Sequence, residues 1–116
     1  MFELFIHYAS GLGVEEDQAK AYAICERAAE AGNDRAMYNL GVLNAMGQGT
    51  PKNTDKAVHW YERSAEQGNP SAMASLAVMY ATGEGVETDR QYAEELLGQA
   101  DYCGLDVSGI REDLGL

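Results

Sequence analysis

Three short glycine motifs are the first features of this sequence whose spacing could do chemistry. They are Gly11-Leu12-Gly13, Gly47-Gln48-Gly49 and Gly83-Glu84-Gly85. A glycine pair of this kind can cradle a phosphate when a strand precedes it and a helix follows it. Here a segment with helical spacing precedes each motif, and three evenly spaced copies have no use as one cofactor loop. We therefore predict structural turns and no bound cofactor.

The side chains that could act as nucleophiles, bases or metal ligands are scattered. His7 and His59 have no second histidine four residues away and no Ser or Cys in a triad pattern. Cys25 and Cys103 are too few for a disulfide framework, and neither has a Cys or His at zinc-ligand spacing. We expect no catalytic residue and no metal site, so the chain is predicted not to be an enzyme.

Composition and charge narrow the classes of partner. The chain has 116 residues, 46% of them apolar, and carries 19 acidic against 8 basic residues for a net charge of -11. The basic residues do not cluster, so a nucleic-acid partner is not expected. No stretch approaches the roughly 20 apolar residues of a membrane span, and the first residues lack the basic start of a signal peptide. A soluble protein is expected, with a cytoplasmic location favoured.

A repeat of 36 residues must position all of these side chains. Residues 4–14, 40–50 and 76–86 align without a gap. Thirteen of the first 35 pairs at this spacing are identical, against about two expected from ordinary composition. Duplication therefore explains the pattern far better than chance.

Each copy carries the end signals of two helices joined by a glycine turn. Asn33 and Asn69 are predicted to cap first helices, which Gly47 and Gly83 then end in the left-handed conformation. The predicted caps of the second helices are Asp17, Asn53 and Asp89, and the glycines that close them are Gly32, Gly68 and Gly104. The pattern predicts three helical hairpins and no sheet.

The second helices carry apolar residues at the i, i+3, i+4, i+7 spacing of one buried face. The predicted buried residues are Ala21, Ile24, Cys25 and Ala28, then Ala57, Trp60, Tyr61 and Ser64, then Ala93, Leu96, Leu97 and Ala100. One hairpin cannot bury such a stripe alone, so the hairpins must stack. We predict one all-α domain, an α/α solenoid of residues 1–35, 36–71 and 72–107. A C-terminal cap over 108–116 follows, with Ile110 and Leu114 inward.

The repeat resembles the Sel1-like repeat family, which is related to the tetratricopeptide repeat. The residues that match its pattern in the second copy are Ala36, Leu40, Gly41, Gly47, Gly49, Asn53, Lys56, Ala57, Trp60, Tyr61, Ala65 and Gly68. The resemblance spans about residues 1–105. It implies a non-enzymatic adaptor or scaffold that presents a concave surface to a protein or peptide.

By analogy with tetratricopeptide arrays, first-helix positions outside the repeat signature should line that concave surface. They are Phe2, Ile6 and Ala9 in the first copy, Arg35, Tyr38, Val42 and Met46 in the second, and Ser71, Ala74, Val78 and Thr82 in the third. This set is unusually apolar for a surface open to water. The alternative is that several of these side chains pack against neighbouring helices and leave a shallow groove.

The leading functional hypothesis is an interaction module that binds a protein segment through Tyr38, Val42, Met46 and Val78. Residues 1–35, 36–71 and 72–116 sum to charges of -4, zero and -7, which favours a partner with basic residues. One alternative is a homodimer through Phe2 and Phe5 on an uncapped N-terminal edge. Another is that the chain is the C-terminal part of a longer array, whose preceding repeat covers that edge.

Overall fold

The computed structural model describes residues 14–116, and these residues form six helices and no strand. The helices are α1 (Val14–Glu30), α2 (Asp34–Met46), α3 (Thr54–Glu66), α4 (Pro70–Thr82), α5 (Arg90–Tyr102) and α6 (Ser108–Leu114). Each of the first four helices packs on the next, and α6 packs on α4. The predicted all-α solenoid is thereby confirmed.

Side-chain caps start the four central helices where the sequence predicts them. The Oδ1 atoms of Asn33 and Asn69 accept the N–H groups three residues later at 3.0 and 3.1 Å. Asn53 and Asp89 do the same for α3 and α5 at 3.1 and 3.0 Å. Gly47 and Gly83 end α2 and α4 with φ of 74° and 77°. These ends are set by local chemistry, which is why spacing alone predicts them.

The predicted cap at Asp17 is wrong. Helix α1 begins at Val14, so Asp17 lies inside its first turn. In the later repeats a backbone hydrogen bond holds the turn open, since Asn53 N–H donates to Asn44 O and Asp89 N–H to Tyr80 O, both at 2.8 Å. Residues 50–53 and 86–89 therefore stay outside a helix, whereas the equivalent segment at 14–17 adds a turn to α1.

Within residues 14–116 the core consists of two clusters along the stack. The first joins Ala29 of α1 to Ala36, Met37 and Leu40 of α2. The second runs from α3 to the start of α6 and contains the largest buried side chains of α4 and α5, such as Leu76 and Leu97. Burial therefore passes from one helix to its neighbours, as expected for an array without a single centre.

The prediction of a buried face on the second helices is correct in α5, where all four predicted residues are buried. In α3 three of the four predicted residues are buried, and Trp60 is half-buried. In α1 the prediction is wrong for Ala21, which is exposed, and for Ile24, which is 67% exposed. The side of α1 that packs on the first cluster carries Tyr22 and Ala29. A periodic apolar residue is buried only where another helix covers it.

No helix in residues 14–116 combines the length and the apolar character that a membrane span requires.

Candidate partner-binding groove

The first helices of the second and third repeats, with α6 beyond them, enclose a groove of about 260 Å³. Tyr38 of α2 forms one wall, and Leu105 and Ile110 at the C-terminal end form the other. Ser71, Ala74, Ser75 and Val78 of α4 lie between the two walls. The floor is thus a stripe of small residues, and the larger side chains stand at the sides.

Helix α6 takes the position of a fourth first helix. Leu105 N–H donates to Ala100 O at 3.0 Å, as Asn33 and Asn69 donate to the carbonyls five residues before them. Leu105 stands in the asparagine column of the repeat but cannot cap a helix with its side chain. Helix α6 begins three residues after Leu105, at Ser108, has no side-chain cap at Val107 and spans only seven residues. Its short length leaves the groove open.

The structure places four residues of the predicted concave set together in this groove: Tyr38, Ser71, Ala74 and Val78. Val78 is 36% exposed and Tyr38 is half-buried, but Ala74 is buried against the core at 7% exposure. Ala74 therefore supplies floor rather than an exposed contact. Sequence reasoning missed Ser75 and Leu105, although it identifies Ile110 as an inward residue of the cap.

The remaining predicted residues lie along the same helices but outside this groove. Met46 is 63% exposed at the end of α2, and Val42 is half-buried against the second core cluster. Arg35 and Thr82 are exposed. Phe2, Phe5, Ile6 and Ala9 fall outside the described residues, so both the N-terminal part of the groove and the dimer through Phe2 and Phe5 stay predictions.

Tyr38 is anchored to the core by a second tyrosine. Its ring centroid lies 5.7 Å from that of Tyr61, with the rings tilted by 43°. Burial, and then the neighbouring Tyr38 and Glu84, raise the pKa of Tyr61 to about 12. Tyr61 is buried and packs against Tyr38 below the groove.

No three His, Cys, Asp or Glu side chains within residues 14–116 lie close enough to hold a metal ion. Cys25 is half-buried and Cys103 exposed, and both are free thiols. The groove offers apolar and hydroxyl contacts, which suit recognition of a protein segment.

Comparison with known protein families confirms that the chain contains three repeats. The Sel1 repeat family model matches residues 1–33, 34–69 and 70–100. No curated protein matches the chain significantly.

Several solved structures share the fold, among them two crystal structures. A Sel1 repeat protein from Oxalobacter formigenes is similar at 30% identity and a TM-score of 0.74 over 76% of this chain. The protective antigen c5321 from uropathogenic Escherichia coli, which displays an SLR fold, is similar at 32% identity and a TM-score of 0.78 over 99%. This chain spans 25% and 26% of those two chains. With three matched repeats over most of its length, the chain belongs to the Sel1 repeat family.

Proposed function

We propose that this chain binds a segment of a partner protein along the face formed by α2, α4 and α6. Sel1 repeat proteins are generally non-enzymatic scaffolds for protein interactions, and the proposal assigns that role to one surface. Its contacts are Tyr38 and Val78 in the groove and Met46 at the end of α2. The half-buried Val42 and the exposed Arg35 and Thr82 flank them on the same helices.

The observation that carries the proposal is the exposure of large apolar side chains on this face. Met46 and Val78 are two of the four large hydrophobic residues that are exposed in the described part of the chain. Isolated exposed apolar residues are ordinary. Here they lie on helices that also form an open groove, and a partner segment covering both would remove their apolar area from water.

Charge supports a basic partner. The chain carries a net charge of -11, and nine of the acidic residues but only two basic ones lie after residue 71. A cationic segment would be attracted to this half over distances of roughly the Debye length, about 8 Å at physiological salt.

A peptide-display selection tests the proposal without knowledge of the natural partner. Peptides selected on the unmodified chain are expected to combine apolar and basic residues. Replacing Tyr38 and Met46 together with Ala should weaken their binding at least tenfold, since two apolar contacts are lost, each worth about 1 kcal/mol or more.

The matched control is Ile24→Ala, which truncates a side chain on another helix that is about as exposed as Met46. This variant should bind the selected peptides as the unmodified chain does. If both variants weaken binding equally, or if neither does, the groove is not the binding surface.

A further inference from the structure

A second cleft lies between the second helices of the last two repeats. Helices α3 and α5 both pack on α4, and a cleft of about 260 Å³ remains between them. Its principal lining residues are Glu62 and Glu66 of α3, Leu76 of α4, and Tyr92, Leu96 and Gln99 of α5. None of these residues lines the groove proposed above.

The cleft is apolar at its base and acidic at its rim. Leu76 and Leu96 are 1% and 3% exposed and form the base. Tyr92 forms a wall, with its ring edge-on to Tyr80 at a centroid distance of 4.7 Å. Glu62 and Glu66 stand one helical turn apart above it. The Tyr80 hydroxyl donates to Glu62 Oε1 at 3.3 Å and holds that carboxylate at the rim.

Negatively charged carboxylates surround Tyr92, which forms the wall of the cleft. Burial raises the pKa of Tyr92, and the carboxylates of Glu62, Glu95 and Glu66 raise it further. The same carboxylate of Glu62 adds to the effect of burial on the pKa of Tyr80. Three carboxylates thus act on one aromatic wall, which disfavours an anion there and favours a cation.

The preceding repeat junction shows what this cleft lacks. Thirty-six residues earlier, Glu26 and Glu30 stand in the positions of Glu62 and Glu66. In that junction Lys56 replaces Tyr92 and Arg63 replaces Gln99. The Arg63 guanidinium lies 5.0 Å from the ring centroid of Trp60, which stands in the position of Leu96. The first junction therefore carries its own cations beside an apolar surface.

No basic residue of the described chain replaces these cations in the second junction. Only Arg90 and Arg111 follow Arg63 in the sequence. Arg90 donates to the carbonyls of Leu114 and Gly115 at 2.7 and 3.2 Å. Arg111 lies 3.8 Å from Glu94, and this is the single ion pair within residues 14–116. Glu62 and Glu66 thus have no basic partner in this part of the chain.

We propose that the cleft between α3 and α5 binds a lysine or arginine side chain from a basic segment of a partner protein. The aliphatic part of that side chain lies over Leu76, Leu96 and Tyr92, and its charged end lies between Glu62 and Glu66. Long cationic side chains pair an apolar stem with a charged head in this way. The site is separate from the groove and does not depend on it.

A capped trilysine peptide is the probe, titrated into the isotope-labelled full chain and followed by NMR. Amide signals of Tyr92 and Leu96 should shift most, and a capped trinorleucine peptide, which keeps the stem but lacks the charge, should not bind. Replacing Glu62 and Glu66 together with Gln should weaken trilysine binding about tenfold, since two partly exposed ion pairs are lost.

The matched control is the double variant Glu26→Gln and Glu30→Gln, which removes the same charge at the first junction. It should change the affinity less than twofold. A second pair, Tyr92→Lys with Gln99→Arg, places the first junction's cations in the cleft and should abolish binding, and the single Gln99→Arg change should weaken it.

The opposite results overturn the proposal. Equal weakening by both pairs of Glu→Gln changes would show general attraction to an acidic surface, and binding unaffected by Glu62→Gln with Glu66→Gln would exclude the cleft. The double variant Tyr38→Ala with Met46→Ala should leave trilysine binding unchanged. Trilysine binding therefore tests the cleft alone, and binding of the selected peptides tests the groove. Circular dichroism of each variant checks that the helices are retained.

Discussion

At the scale of single residues, Gly41 decides how closely α2 and α3 can pack. A Cβ atom at this position would lie 2.5 Å from Tyr61 Cε1, well inside van der Waals contact. We expect Gly41→Ala to lower the free energy of unfolding by about 1–3 kcal/mol, since Tyr61 is buried and must move. Urea denaturation monitored by circular dichroism measures this.

Gly98 is the matched control for Gly41. It lies within helix α5, and a Cβ there meets no atom within 4 Å. Gly98→Ala should therefore raise the free energy of unfolding by about 0.5–1 kcal/mol through helix propensity alone. If Gly41→Ala were equally stabilising, the close contact of Tyr61 with α2 would not be a constraint on the fold.

Tyr61 also makes stability depend on pH in the alkaline range. Burial is the main cause that raises its pKa from 10.0 to about 12. Between these values the unfolded chain loses a proton that the folded chain keeps, so the free energy of unfolding falls as the pH rises from 10 towards 12. One such group changes it by up to about 1.4 kcal/mol per pH unit.

Tyr61→Phe removes this contribution. Between about pH 10 and pH 11.5, the unfolding free energy of the variant should fall less steeply with pH. Part of the pH dependence should remain, because the pKa values of Tyr80 and Tyr92 are also raised. Urea denaturation at several pH values provides the comparison. An unchanged slope would mean that Tyr61 ionises equally well in the folded chain.

At the scale of elements, burial of Val107, the residue before α6, holds this helix on the core. Val107 is 3% exposed and belongs to the second core cluster. Val107→Ala should lower the free energy of unfolding by about 1–3 kcal/mol and weaken α6 in particular. Gly109 lies within α6, and a Cβ atom added there would meet no other atom within 4 Å. Gly109→Ala should therefore strengthen the helix.

Backbone NMR shifts over residues 108–114 measure these two effects on α6. The two substitutions should move the helical shifts in opposite directions. Loss of α6 would also remove Ile110 from the groove wall. If Val107→Ala left the shifts of this helix unchanged, packing at Val107 would not be what holds α6 in place.

At the scale of the whole molecule, α4 should be the last helix to open. It packs on α3, α5 and α6, and seven of its thirteen residues are buried. Amide hydrogen exchange should be slowest in α4 and faster in α1 and α6. Within residues 14–116 these two helices have fewer neighbours, and such helices open at lower free energy. Equal protection of α1 and α4 would indicate one cooperative unit instead of an array with graded stability.

The repeat, the helical hairpins and most helix ends follow from residue order alone. Asn33, Asn53, Asn69 and Asp89 cap helices through bonds to backbone groups three residues away. Such contacts are local, so residue type and spacing are enough to predict them. The spacing of Gly47 and Gly83 likewise predicts the turns.

Tertiary packing, by contrast, settles which apolar residues are covered. Ile24, Trp60 and Leu96 share one column, yet Ile24 is 67% exposed, Trp60 is half-buried and Leu96 is 3% exposed. The C-terminal wall of the groove, and the cleft whose carboxylates lack a cation, also arise only once helices from different repeats are packed. Burial and charge pairing depend on neighbours distant in sequence, and no local pattern specifies those distances.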